Sequence, residues 1–278
     1  MNKEQFATLL KLSKTAPWIV DKDEALTSLL FDDCNNENSR DLVIDLLTRF
    51  NYWSREQYAN ELRNLAESVA RDTRLTPQTT QIVGMAADES SDSSHLILYG
   101  LKMAFRNQGW TGYGEVNQFA KSYQKYKQNN DYKDIVLVDE FIGSGQTVIS
   151  RVKEIRRIFD YAKVDGYRII VKVLVSSSVG LEAIRKQGIE VDANLVINKG
   201  ISDYYPPNEV QSKIEIMREL ESILAPQIGP VPLPSLGYGS CESLYMRQEG
   251  NTPNCVFPFF WWPQYQDGAR RNLIMERA

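Results

Sequence analysis

Histidine, cysteine and long apolar runs are scarce in this sequence of 278 residues, and each shortage argues against a class of protein. A single histidine, His95, leaves little material for a histidine-rich metal site or a histidine relay. The three cysteines are odd in number and show no pairing pattern, which predicts reduced thiols. No apolar run approaches the length of a membrane span, and the first residues lack the basic-then-apolar pattern of a signal peptide. We therefore expect a cytoplasmic protein with no membrane partner.

An excess of positive charge is also lacking. The formal net charge of −4 argues against non-specific coating of nucleic acid, although a local basic patch stays open. The apolar fraction of 42% and the charged fraction of 24% are those of a globular protein. A G-x-x-x-x-G-K-[ST] loop is absent as well, which argues against a P-loop nucleotide site.

The most informative stretch runs from Ile135 to Thr147. It begins with an uninterrupted apolar run, Ile135 to Val138, which is typical of a strand buried on both faces of a parallel sheet. Asp139 and Glu140 follow, then a Gly-Ser-Gly turn, and residues 146–158 have the spacing of an amphipathic helix. A strand, an acidic pair, a small-residue turn and a helix in this order predict a phosphate site at the carboxyl edge of an open α/β sheet.

Each residue type in the turn suits a part of that chemistry. Gly143 and Gly145 have no Cβ, so their backbone N–H groups can approach an anion closely. Ser144 and Thr147 add hydroxyl donors, and the helix that follows directs the positive end of its dipole at the same place. The preceding carboxylates would repel phosphate, so we expect them to accept hydrogen bonds from two neighbouring hydroxyls, as on a ribose ring.

These thirteen residues resemble the 5-phosphoribosyl 1-diphosphate (PRPP) signature of type I phosphoribosyltransferases. The resemblance implies a Rossmann-like, mostly parallel α/β sheet, with matching topology from about residue 79 to residue 201. It implies that Asp139 and Glu140 are the catalytic-site acids, which bind the 2′- and 3′-hydroxyls of the ribose. The residues that it assigns to the 5′-phosphate are Ile142, Gly143, Ser144, Gly145, Gln146 and Thr147.

Two other interpretations of the stretch stay open. A hydrophobic run ending in Asp-Glu also resembles a Walker B strand, but the lysine-bearing loop that such a strand accompanies is missing. Alternatively, the turn is an ordinary strand-to-helix connection, in which glycine serves the backbone and the acids merely lie near the start of a helix.

A second loop departs from the resembled family. There, the loop after the first strand of the sheet binds the diphosphate and often carries arginine or lysine, whereas here it carries Asp88, Glu89 and Asp92. Carboxylates facing a diphosphate are costly unless Mg²⁺ lies between them or the loop points away. One interpretation is therefore a diphosphate or metal loop of Asp88, Glu89, Asp92 and His95, which holds Mg²⁺ as cofactor or a different substrate group. The other is that this loop caps the helix that follows. His95 is then either a general acid or base or an ordinary residue of the first helical turn.

Composition and spacing divide the chain into three segments. Residues 1–77 read as an N-terminal helical region, 78–225 as the α/β core, and 226–278 as a C-terminal hood or docking segment rich in proline and aromatic residues. In the last segment, Trp261 and Trp262 belong to an aromatic run that is expected to pack on the core, to stack on a nucleobase or to meet a partner.

A basic, tyrosine-rich segment, residues 121–133, precedes the apolar strand. In the resembled family a mobile loop at this place closes over the reacting centre, and lysines in it would screen phosphate charge. The alternative is a solvated connection between two strands.

The resemblance implies an enzyme of pentosyl transfer that binds a phosphoribosyl or nucleotide ligand. The overall likeness is to a phosphoribosyltransferase-like group of bacterial conflict systems, which implies a nucleotide-targeting effector of an antiviral defence module with protein partners. The alternative is a catalytically inactive ligand sensor or assembly subunit that keeps the fold.

Overall fold

The computed structural model describes residues 3–87 and 93–277. Its helices are α1 (Lys3–Thr15), α2 (Asp23–Thr27), α3 (Glu37–Thr48), α4 (Arg55–Ala70), α5 (Ser93–Asn107), α6 (Ser122–Gln128), α7 (Gln146–Tyr161), α8 (Ser178–Lys186) and α9 (Pro207–Glu221). Its strands are β1 (Asn51–Trp53), β2 (Thr80–Ala86), β3 (Gly114–Gln118), β4 (Asp134–Ile142), β5 (Arg168–Ser177), β6 (Glu190–Ile197), β7 (Gln227–Ile228), β8 (Val231–Pro232) and β9 (Tyr245–Arg247).

Five strands form a sheet in the order β3-β2-β4-β5-β6. β2 pairs in parallel with β3 and with β4, and β4 pairs in parallel with β5. The apolar run predicts a strand covered on both faces, and Ile135 to Val138 are indeed 0–1% exposed in β4. The predicted α/β fold with a mostly parallel sheet and N-terminal helices is confirmed.

Residues 55–196 form one compact unit, which contains nearly all of this sheet. A single apolar cluster joins alternate residues of β4 and β5 to the buried faces of α7 and α8. α5 contacts β2 and β4, α4 contacts β5, and neither helix contributes to that cluster. Helices therefore cover both faces of the sheet, which is what the uninterrupted apolar strands require.

The strand order creates a switch point between β2 and β4. From β2 the chain continues to β3 on one side, and from β4 it continues to β5 on the other. In open α/β sheets, the crevice outside the carboxyl ends of two such strands is the usual place for a ligand. Ala86 and Ile142 are the last residues of β2 and β4, so both strands end at this crevice.

Residues 1–54 and 197–278 form the other unit. Its apolar cluster combines α2, α3 and α9 with the C-terminal segment, and β1 pairs in parallel with β9. The division at residues 77 and 225 that was drawn from the sequence stays a prediction.

The aromatic run of the C-terminal segment lies inside this second core. Its three phenylalanines are 0–1% exposed, and Trp261 and Trp262 are 5% and 2% exposed. The Trp261 Nε1–H donates a hydrogen bond to the Val256 carbonyl at 3.0 Å. Packing is thus the interpretation that the structure supports, because neither indole presents a face on which a base could stack. The core that contains the run is that of residues 1–54 and 197–278, whereas the expectation from the sequence was packing on the α/β core.

No helix within the described ranges has both the length and the apolar character needed to cross a bilayer. Among the same residues, Cys34, Cys241 and Cys255 are buried and none of them is in a disulfide. Burial raises the pKa of the Cys34 thiol to about 12, so this side chain is a protonated core residue.

Glu221, the last residue of α9, gives the second core a pH dependence. Its carboxylate is 2% exposed and accepts hydrogen bonds from the Ser235 hydroxyl at 2.6 Å and the Leu236 N–H at 3.0 Å. Burial raises its pKa from 4.5 to about 7 despite these donors. Between these two pKa values the folded protein keeps a proton that the unfolded chain has lost, so stability falls as the pH rises.

We expect the titration of Glu221 to lower the free energy of unfolding by about 3 kcal/mol between pH 4.5 and pH 7. Above this range the group should cause no further change. Glu221→Gln removes the titrating proton and should flatten this part of the profile, as measured by urea unfolding at a series of pH values. Glu219→Gln, at an exposed position of the same helix, is the matched control and should keep the wild-type slope. An unchanged slope in Glu221→Gln would contradict the assignment.

Candidate functional site

Asp139 and Glu140, the two residues predicted to bind the ribose, lie near the carboxyl end of β4. Asp139 is half-buried, whereas Glu140 is only 6% exposed, and the Glu140 N–H donates a hydrogen bond to Asp139 Oδ1 at 2.7 Å. Successive side chains of a strand point to opposite faces of the sheet, so the two carboxylates do not project in the same direction. Of the pair, Asp139 is therefore the more accessible to a ligand.

The predicted phosphate loop follows directly. Gly143, Ser144 and Gly145 form the turn between β4 and α7, and Gly145 is the N-cap of the helix with φ +78°. Left-handed backbone of this kind suits glycine, and the first N–H groups of a helix have no partner within it. Gln146 and Thr147 are exposed in the first turn of α7. The structure therefore brings the turn, Thr147 and the first residues of α7 together, an arrangement that is able to bind an anion.

The remaining member of the predicted loop has a different role. Ile142 is 3% exposed and belongs to the apolar cluster beneath α7 and α8. Its side chain thus anchors the turn to the core, and only its backbone can take part in binding.

The start of α8 holds the phosphate loop in place. The Ser177 hydroxyl donates to the Gly143 carbonyl at 2.6 Å and accepts from the Gly180 N–H at 2.9 Å. A Cβ on Gly180 would lie 2.0 Å from the Gly143 oxygen, and a Cβ on Gly145 would lie 2.8 Å from the Gly180 oxygen. The two backbones therefore cross at a distance that excludes side chains, and the Gly143 carbonyl is occupied by Ser177 rather than facing an anion.

Sequence reasoning missed Ser177 and Gly180. The signal is in the register of the sheet, where Ile142 of β4 pairs with Ser176 of β5. Parallel strands that end together place their following residues side by side, so a serine and a glycine after β5 can reach the loop after β4.

The acidic second loop is mostly beyond what the structure describes. Asp88, Glu89 and Asp92 fall outside the described residues, so both interpretations of that loop stay predictions. His95 lies in the first turn of α5 and is half-buried. Within residues 3–87 and 93–277, no three His, Cys, Asp or Glu side chains are grouped so that they could hold a metal ion.

Residues 121–133, predicted as a closing loop or a solvated connection, contain the packed helix α6. The rings of Tyr123 and Tyr126 lie 5.5 Å and 5.6 Å from the ring of Phe159 in α7. The Ser122 hydroxyl donates to Gln81 Oε1 at 3.0 Å. Two tyrosines three residues apart share a helix face, so this segment supplies core contacts that neither prediction included.

A family model described as PRTase-CE matches residues 31–277. No curated protein sequence is significantly similar to the chain.

Solved structures with weak similarity include three phosphoribosyltransferases. The orotate phosphoribosyltransferase of Aeropyrum pernix is 16% identical, with 51% of this chain and 71% of that chain covered and a TM-score of 0.31. The xanthine-guanine-hypoxanthine phosphoribosyltransferase of Helicobacter pylori is 10% identical, with 53% and 85% covered and a TM-score of 0.31. The orotate phosphoribosyltransferase of Mycobacterium tuberculosis in complex with PRPP is 13% identical, with 56% and 78% covered and a TM-score of 0.30.

Proposed function

Because the chain belongs to the PRTase-CE family, we propose that it is a phosphoribosyltransferase-like enzyme that binds a ribose 5-phosphate group at the carboxyl edge of β4. The observation that carries the proposal is the turn Gly143–Gly145. It is fixed against α8, it leads into the exposed N-terminal turn of α7, and it lies directly after the acidic pair. The Gly143 carbonyl is held by Ser177, and Gln146 and Thr147 at the start of α7 are exposed, where the first amides of a helix can meet an anion.

In the proposed reaction the bond from C1′ of the ribose to its leaving group breaks, and the electron pair departs with that group. C1′ becomes oxocarbenium-like and then forms a bond with the acceptor. The chain's own residues bind and orient: the phosphate loop fixes one end of the sugar, and Asp139 accepts hydrogen bonds from its hydroxyls. A nearby carboxylate also stabilises positive charge that develops on the sugar, so no protein nucleophile is required.

The residues at this site suit a Mg²⁺ ion that binds together with the phosphates of the substrate. A dedicated protein cage would need several acidic side chains around one point, and the described residues offer no such group. Mg²⁺ commonly binds one or two carboxylates together with substrate phosphates, and half-buried Asp139 is a suitable carboxylate. Bound in this way, Mg²⁺ would neutralise a departing diphosphate.

The finer parts of the proposal are a cytoplasmic location and an effector role against nucleotides in an antiviral defence module, with protein partners from that module. Buried cysteines outside disulfides are consistent with a reducing compartment. The acidic residues Asp88, Glu89 and Asp92 distinguish this chain from enzymes whose diphosphate loop is basic, which favours a modified activity over ordinary nucleotide salvage.

Calorimetric titration with PRPP and Mg²⁺ tests the proposal. Asp139→Asn and Glu140→Gln each weaken acceptors for the ribose hydroxyls, and loss of one charge-assisted hydrogen bond should weaken binding by about 10- to 100-fold. We expect the larger loss for Asp139→Asn because its side chain is the more accessible. Asp131→Asn, at an exposed position before the amino end of β4, is the control and should bind like wild type.

Turnover then separates the two functional classes. Release of diphosphate from PRPP by the wild type, lost in Asp139→Asn, supports the enzyme. Binding without turnover of any phosphoribosyl compound supports the catalytically inactive sensor or assembly subunit. Failure of the wild type to bind any phosphoribosyl ligand contradicts both.

A further inference from the structure

A cleft of about 620 Å³ begins at the first residue of α7, where the phosphate loop ends. We call it the α7 cleft. Gln146, Ser150, Lys153 and Arg157 line it, and their spacing of four, three and four residues places them on one face of the helix. The cleft is thus a continuation of the anion site along the exposed side of α7.

The lining of the α7 cleft is positively charged. It contains Arg151, Lys153 and Arg157 but only one acid, Glu154, which Arg157 binds through two hydrogen bonds of 2.9 Å and 2.7 Å. The Arg151 guanidinium lies over the Phe119 ring at 4.4 Å, and its Nε is shielded from solvent with no hydrogen-bond partner among the described residues. A cleft lined by two more cations than anions suits a second anionic group.

The spacing along the helix suits an anion that is attached to the one in the loop. At 1.5 Å per residue, the backbone of Lys153 lies about 10 Å along the axis from that of Gln146. Helical side chains lean toward the N-terminus, so a lysine at this distance can extend toward a group linked to the loop phosphate. Gln146 is exposed and belongs to the lining of the cleft, so the loop is open where a substituent on the phosphate would leave it.

We propose that the ribose 5-phosphate group belongs to a 5′-diphosphate-linked nucleotide, whose second phosphate lies in the α7 cleft. This inference rests on the proposed function and adds the substrate class: the sugar carbon that reacts is near Asp139, and the 5′-phosphate continues into a diphosphate past Gln146. A simple ribose 5-phosphate would fill the loop and place no phosphate beside Lys153 and Arg151.

Ribose 5-phosphate and ADP-ribose are the probes, because the terminal ribose of ADP-ribose carries the same 5′-phosphate extended by a second phosphate and adenosine. We expect the wild type to bind ADP-ribose at least 10-fold more tightly, since a lysine–phosphate contact is a charge-assisted hydrogen bond worth about 10-fold or more. Lys153→Gln should remove most of this advantage and leave the affinity for ribose 5-phosphate unchanged. Lys163→Gln, at an exposed site in the turn after α7, removes the same charge and should change neither affinity.

The outcomes separate the two proposals. Equal affinities for both probes, or an ADP-ribose advantage that survives in both Lys153→Gln and Arg151→Gln, overturn the inference while the site for ribose 5-phosphate stands. Failure of both probes to bind overturns the proposed function as well. Tighter binding of a 5′-phosphorylated single-stranded oligonucleotide than of ADP-ribose, again sensitive to Lys153→Gln, overturns the dinucleotide-like substrate in favour of nucleic acid.

Discussion

Gly180→Ala is expected to weaken PRPP binding by 100-fold or more while leaving the protein folded. The new Cβ would lie 2.0 Å from the Gly143 oxygen and 2.9 Å from Ile142 Cγ2, so α8 and the phosphate loop must move apart by more than 1 Å. That movement breaks the hydrogen bond from Ser177 to Gly143 and displaces the amides of the loop. Losing two charge-assisted hydrogen bonds to phosphate would cost about 3 kcal/mol or more in binding. Overpacking should also lower the free energy of unfolding by about 1–3 kcal/mol.

Calorimetric titration of folded Gly180→Ala protein checks this expectation. Gly114→Ala is the matched control, because there the three atoms nearest to the new Cβ all belong to side chains, the closest being Cε of the flexible Lys125 at 3.0 Å. The control should bind PRPP like wild type. Wild-type affinity in Gly180→Ala would show that the position of the loop against α8 is unimportant for binding.

Arg271→Met is expected to lower the free energy of unfolding of the unit formed by residues 1–54 and 197–278 by about 3–5 kcal/mol. The Arg271 side chain is 1% exposed and forms a 2.8 Å ion pair with Asp33, which is 6% exposed. It also donates to the carbonyls of Trp262 and Phe259, each at 3.0 Å. Without the arginine, the Asp33 carboxylate still accepts a hydrogen bond from the Tyr265 hydroxyl at 2.7 Å but loses its buried cation.

Urea unfolding followed by tryptophan fluorescence measures this effect, because this unit contains Trp18, Trp53, Trp261 and Trp262. Arg270→Met, at the exposed neighbouring position, should change stability by no more than about 0.5 kcal/mol. Combining Arg271→Met with Asp33→Asn should cost less than the sum of the two single substitutions, since no buried charge is then left alone. A loss below about 1 kcal/mol in Arg271→Met would contradict the role given to the ion pair.

The parts of the fold that the sequence predicts are those with local patterns. The four adjacent apolar side chains of Ile135 to Val138 predict a strand that is covered on both faces. The three residues Gly-Ser-Gly predict the turn that follows it. Both sets of residues depend on neighbours along the chain, so a single stretch is enough to predict β4 and the start of α7.

The features that the sequence does not predict depend on contacts between residues that are far apart in the chain. Ser177 and Gly180 support the phosphate loop only because β4 and β5 end side by side, which no local pattern shows. The composition of the aromatic tail predicts that it is buried. It does not predict the ion pair that holds the tail, because Arg271 and Asp33 are 238 positions apart. The two-residue period of a strand places Asp139 and Glu140 on opposite faces, but because both faces of the sheet are covered, the sequence does not show which of the two is exposed.

A crystal structure of the protein with ribose 5-phosphate is the most direct test of the site. We predict that the phosphate accepts hydrogen bonds from backbone N–H groups between Gly143 and Thr147, and that the ribose hydroxyls donate to Asp139. A phosphate bound elsewhere on the protein, or a sugar whose hydroxyls lie out of reach of Asp139, would contradict the proposed function.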